Sequence, residues 1–133
     1  MRFIIRLFAV LSLLTAGLGL HAQEDGYDVF VPISKYIAQG NAEALSAWFD
    51  STLEVTILSK GADASKSQAK QIVKSFFDSY TPRSFTITHK AGKANMKYAL
   101  ADLNAGGERF RVTIFVTCKK DGYRIQQLKI DRL

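Results

Sequence analysis

Cysteine is nearly absent: Cys118 is the only one among the 133 residues. An internal disulfide is therefore excluded, and a cysteine-built zinc site with it, because such sites need several ligands at set spacing. Histidine is almost as scarce, with His21 and His89 alone. No metal and no cofactor are expected from so thin a ligand set. A glycine-rich phosphate loop after a strand is also missing, since Gly106-Gly107 precedes a strand instead of following one. The charge balance of +6 is far from the dense basic face of a nucleic-acid binder, and no nucleic-acid partner is expected. Long apolar runs are absent apart from one at the very start.

That opening run has the form of a secretory signal peptide. Arg2 and Arg6 form a short basic region, Leu7 to Leu20 is almost wholly apolar, and Leu20-His21-Ala22 offers a small residue at the cut. The run is short for a membrane span and holds two glycines, with no basic stop-transfer cluster behind it. The reading is residues 1–22 as signal peptide, cleaved near Ala22, and residues 23–133 as one domain. No cysteine lies at the cut, so a lipoprotein is not expected. The mature protein is expected to be exported, periplasmic or secreted, with no membrane span. Losing Arg2 and Arg6 leaves 16 basic against 12 acidic residues, a charge of +4. A chain of this size buries an adequate core without covalent staples.

From Asp28 the apolar spacing is helical through Val29, Phe30, Ile33, Tyr36 and Ile37, with Pro32 in the tolerant first turn. Gly40 ends that helix and Asn41 caps the next, a short one with Leu45, Trp48 and Phe49 as its buried stripe. A strand runs from Leu53 to Ser59, and Lys60 to Asp63 reads as a loop. Ser65 and Gln68 form a capping box, and Ala69, Ile72, Val73, Phe76, Phe77 and Tyr80 make one continuous stripe on a third helix. Lys66, Lys70 and Lys74 line another side of it, most simply a solvated face. Strands follow: Phe85 to Lys90, with Phe85, Ile87 and His89 on one face until Gly92 breaks the run, and then Met96 to Leu103.

The last segment is a hairpin. Its first arm alternates strictly, with Phe110, Val112, Ile114, Val116 and Cys118 inward and Arg111, Thr113, Phe115, Thr117 and Lys119 outward. Cys118 thus reads as an inert buried thiol. The second arm admits two registers. A two-residue Asp121-Gly122 turn with a bulge at Gln126-Gln127 pairs Cys118 with Ile125, Val116 with Leu128 and Ile114 with Ile130. A three-residue Lys120-Asp121-Gly122 turn pairs Ile114 with Leu128 and Val112 with Ile130, leaving Ile125 outward. Helices first and strands last imply an α+β fold: three N-terminal helices on one face of a mainly antiparallel sheet of four to five strands.

Phe85-Thr-Ile-Thr-His-Lys90 with Gly92, Tyr98-Ala-Leu100, and Phe110-Arg-Val112 leading to Ile125-Gln-Gln-Leu128 resemble a small exported bacterial family of unknown function. The order of elements resembles the nuclear transport factor 2-like, or cystatin-like, superfamily. That resemblance implies a curved sheet wrapping a long helix, with a cone-shaped pocket between sheet and helices, in a superfamily that holds isomerases, dehydratases, transport adaptors and pure binding domains.

Three functional readings follow. The first is a non-enzymatic binding or scaffold domain for a small amphipathic ligand or an envelope protein. Its pocket would be lined by Tyr36, Trp48, Phe77, Tyr80, Tyr98, Gln126 and Gln127, where aromatic bodies with one polar atom suit such a ligand. The second is a small isomerase or dehydratase using His89 with an aspartate. His89 is a weak candidate, and Asp50, Asp78 and Asp102 fall at element ends, where capping is the ordinary role. The third is a homodimer or protein contact through the outer sheet face, with Arg111, Phe115 and Lys119 as its residues.

Overall fold

The computed structural model describes residues 28–133; the signal-peptide and cleavage expectations lie outside the described residues. Three helices, α1 (Phe30–Gln39), α2 (Ala42–Ser46) and α3 (Lys66–Ser79), accompany six strands. These are β1 (Phe49–Ile57), β2 (Lys60–Ser65), β3 (Pro82–Lys93), β4 (Met96–Ala105), β5 (Glu108–Lys119) and β6 (Gly122–Arg132). They form one sheet in the order β2-β1-β6-β5-β4-β3. All neighbours are antiparallel except β1 and β6. The fold is α+β with a curved, open sheet. The expected count of four to five strands is corrected to six, and α3 lies between β2 and β3 instead of leading the chain with the other helices.

The helix signals read from the sequence are present as structure. Gly40 takes the left-handed conformation at φ 65°, and Asn41 Oδ1 accepts the Ala44 amide at 3.0 Å. In the capping box, Ser65 Oγ accepts the Gln68 amide at 3.2 Å while Gln68 Oε1 accepts the Ser65 amide at 3.0 Å. Ala69, Val73, Phe76 and Phe77 of α3 are buried against the sheet. There the inward residues of β5 and β6, from Phe110 to Val116 and at Ile125, Leu128 and Ile130, close the core. The second helix is shorter than its apolar stripe suggests. It ends at Ser46, Trp48 sits in the following turn, and Phe49, fully buried, opens β1.

The extra strand is β2. Leu58 and Ser59 turn the chain with φ of 51° and 70°, and Ile57 pairs with Lys60 across them. Two positive φ values match the reversal that suits a hairpin's twist, but that turn normally announces itself with asparagine or glycine. Here it is held by tertiary contacts instead: Leu58 N–H donates to the Ile130 carbonyl at 2.8 Å, and the Leu58 side chain packs against the core. Lys60 to Asp63 is strand, not loop.

Of the sheet's four register shifts, two move candidate site residues. In β3, Ile87 pairs with Ala101 but His89 pairs with Leu100, so Thr88 is an extra residue. The strict alternation that put His89 with Phe85 and Ile87 is broken there, and His89 lies exposed on the face away from the helices. Gly92 does not end the strand, which continues to Lys93 with Gly92 at φ 136°. In β6 the extra residue is Gln126, because Val116 pairs with Ile125 and Phe115 with Gln127. Lys119 pairs with Gly122, so the turn is Lys120-Asp121, one position earlier than drawn in the bulge register. Cys118 faces Tyr123 and not Ile125, which rules that register out as drawn. The observed ladder combines both expectations: Ile114 meets Leu128 and Val112 meets Ile130, while the bulge keeps Ile125 inward and fully buried. Cys118, beyond the end of the core, is exposed and not the buried thiol its neighbours suggest.

Candidate functional site

The β6 bulge separates the two glutamines. Gln127 lies on the outer face beside Phe115. Gln126, the extra residue, turns toward the start of β1 and donates through Nε2 to Asp50 Oδ2 at 2.6 Å. Asp50 also accepts the Ser51 amide at 2.8 Å through its own Oδ1, and Lys119 Nζ stands 3.6 Å from Oδ2. Partial burial alone would raise this carboxyl's pKa. The Ser51 and Gln126 hydrogen bonds, with the Lys119 charge behind them, outweigh burial and hold it below the ordinary 3.8. Asp50 is a fixed anion at neutral pH, suited to orienting cations and donors and unsuited to giving up a proton.

Around it lies a groove of about 930 Å³, with the exposed Ala47 and the start of β1 from Phe49 to Ser51 in its lining. One wall comes from α2 and the start of α3, with Glu43, Lys66, Ser67 and Lys70. The other is the β5–β6 turn, with Lys119, Lys120, Asp121 and Arg124. Three cations are already matched: Lys70 to Glu43 at 3.0 Å, Arg124 to Asp121 at 2.7 Å and Lys119 to Asp50 at 3.6 Å. Among the described residues Lys66 and Lys120 have no acidic partner.

The residues singled out from the sequence are distributed differently. Trp48, Tyr36 and Tyr80 are half-buried against the core and Phe77 is within it, so these aromatics pack the space between helices and sheet. Tyr80 stacks edge-on to Phe110 at 5.1 Å, and its hydroxyl accepts from Arg132 Nη2 at 2.8 Å. Tyr98 lies on the outer face opposite Phe115. Arg111 shares that face beside Asp102 at 3.8 Å, whereas Lys119 reaches the groove instead. His89 Nε2 lies 3.4 Å from the Tyr98 hydroxyl, and no carboxylate bonds to it among the described residues. The turn residues Lys120, Asp121 and Arg124, and Ser67 at the start of α3, were not read as site residues from the sequence, where Lys120 and Asp121 stood only as parts of a turn. The only trace of them there was a run of charge around a glycine turn and a serine-rich helix start.

Among the described residues no group of three or more histidines, cysteines and carboxylates is placed to hold a metal ion. In the same residues no helix is long and apolar enough to cross a membrane.

The curved, open, mostly antiparallel sheet packed against helices is an α+β arrangement similar to the cystatin-like and nuclear transport factor 2-like folds. The chain belongs to the DUF4783 family, described as a domain of unknown function, whose model matches residues 30–131. The solved structure of a DUF4783 protein from Bacteroides uniformis superposes with a TM-score of 0.76 at 23% identity, covering 80% of this chain and 98% of that one. A DUF4783 protein from Bacteroides fragilis gives 0.74 at 22%, covering 80% and 100%. A putative dehydratase of the NTF2-like family from Streptomyces avermitilis gives 0.61 at 10%, covering 77% and 89%. None of the curated proteins matches this sequence. These likenesses establish the fold.

Proposed function

We propose that this protein is an exported, non-enzymatic binding domain that holds a small ligand in the groove between the β5–β6 turn and the start of α3. The observation that carries the reading is the fixed polar wall. Asp50 is locked by Gln126, Ser51 and Lys119 on the groove lining, an arrangement that orients a ligand but supplies no acid–base pair. The alternative of catalysis by His89 with an aspartate finds no support in the geometry, since the imidazole is exposed on the opposite face beside a tyrosine. Export rests on the basic and apolar opening of the sequence.

A ligand present at a hundred times its Kd stabilises the folded state by about 2.7 kcal/mol, which raises the melting temperature of a domain this size by several degrees. Thermal-shift screening of amphipathic and charged small molecules should therefore find such a ligand. Ser51→Trp places bulk at an exposed position on the groove wall. The variant should melt like the parent and lose the ligand-induced shift. An undiminished shift would move the site elsewhere.

A second reading has its own observation. On the outer face Phe115 pairs with Tyr98, Leu100 stands in the next row of the same strand as Tyr98, and all three are half-buried with no helix of the described residues over them. An apolar cluster there suits a second copy of the chain packed face to face. Phe115→Glu should then convert a dimer to a monomer in light scattering. A wild-type mass that is already monomeric, or one unaltered by the substitution, removes this reading.

A further inference from the structure

We infer that the groove takes a compact ligand carrying at least two anionic groups, phosphate or carboxylate, gripped between Lys66 and Lys120. The inference rests on the groove being the ligand site and adds its chemical class. Five cationic side chains reach the groove, from α3 on one wall and from the β5–β6 turn on the other, against three carboxylates. The pairings Lys70–Glu43, Arg124–Asp121 and Lys119–Asp50 use up all three carboxylates. The remaining two charges stand on opposite walls, Lys66 at the first position of α3 and Lys120 in the hairpin turn.

Two lysines on separate elements facing one concavity repel each other across it, and an anion between them removes that cost. Such repulsion decays over a Debye length of about 8 Å at physiological salt, and an anion bound between the lysines offsets it. The surroundings add donors suited to oxygen ligands. Ser51 and Ser67 carry hydroxyls on the lining, and the amides of the first turn of α3 point along a helix whose positive end favours negative charge. The matched pairs have a second role. With Asp50 already held by Gln126 and Lys119, and Asp121 by Arg124, neither carboxylate is left free to repel the incoming anion at close range. The exposed methyl of Ala47 adds a small apolar contact for the ligand's carbon skeleton.

The test is calorimetric titration of the purified protein with inorganic pyrophosphate, with citrate, and with octyl glucoside as a neutral amphiphile. Pyrophosphate or citrate should bind, and binding should weaken as sodium chloride is raised. The anion that binds more tightly shows whether phosphate or carboxylate is the natural group. Lys66→Glu and Lys120→Glu should each weaken binding about fivefold, and the pair more than tenfold, as expected for charges near a surface. Glutamate at the first position of a helix is favourable there, so Lys66→Glu should melt no lower than the parent. The matching glutamine variants give a smaller loss of the same kind if Lys120→Glu disturbs the turn.

Binding of octyl glucoside but of neither anion overturns the inference and leaves the groove reading standing, provided Ser51→Trp abolishes it. Anion binding that both charge reversals leave unchanged overturns the inference as well, since the anion then sits elsewhere. Failure of all three probes overturns the inference for these anion classes, and the wider ligand screen then decides the groove reading.

Discussion

Phe110→Ala should cost about 3–5 kcal/mol of folding stability, measured by urea denaturation monitored by circular dichroism. Phe110 is fully buried on β5 and lies at the centre of an aromatic cluster. Its ring meets Phe76 at 5.1 Å and Tyr80 at 5.1 Å, both edge-on, and the Arg132 guanidinium lies 6.0 Å above it. Phe76 and Tyr80 belong to the end of α3, so this one ring joins the long helix to the middle of the sheet. Truncation loses the transfer energy of the ring and leaves a void that the helix cannot close without moving its other contacts. A domain of this size is commonly stable by only 5–15 kcal/mol, so the variant should unfold at a much lower urea concentration. A loss under 1 kcal/mol would mean that α3 is not docked through this cluster.

Gln126→Leu should cost about 2 kcal/mol at neutral pH, since it removes a hydrogen bond to a charged and partly buried group. Asp50 keeps the Ser51 amide and Lys119 but loses its 2.6 Å bond from Gln126 Nε2. The pH dependence distinguishes this from simple repacking. In the parent, Asp50 titrates below 3.8 in the folded state, so its contribution is fully present above that value and is lost as pH falls through the folded pKa. In the variant the folded pKa moves back up toward 3.8, and the contribution shrinks. The stability gap between parent and variant should therefore be widest near neutrality and narrow below about pH 4. A gap that is constant from pH 7 to pH 3 would show that the glutamine acts through packing alone.

These two positions differ in how plainly the sequence shows them. Phe110 belongs to a strand whose alternation is unbroken for ten residues, and the α3 residues that meet it repeat at helical spacing. Both patterns are local, and the inward face of each element is decided by its own side chains. Gln126 belongs to an arm whose alternation fails, and the failure admitted two registers. The molecule adopts a ladder that takes the pairing of one and the bulge of the other. That choice needed the partner strand, because it depends on which arrangement keeps Ile125, Leu128 and Ile130 inward at once. The same holds for Thr88: its neighbours alternate well enough to suggest a continuous face, and only pairing with β4 shows that His89 has crossed to the other side.

By itself the sequence determined the elements that carry their own signal. These are the capping box and stripe of α3, the left-handed glycine that ends α1, the two-faced β5 and the α+β class. Tertiary structure alone decided where the strands shift register, that Leu58 and Ser59 make a hairpin turn, and that Lys66 and Lys120, far apart in sequence, line one groove. The physical reason is the range of the interactions. Side-chain periodicity and capping are settled within one element. A bulge, an unsignalled turn or a convergence of charges is settled by the free energy of the assembled sheet and helices, which no single segment contains.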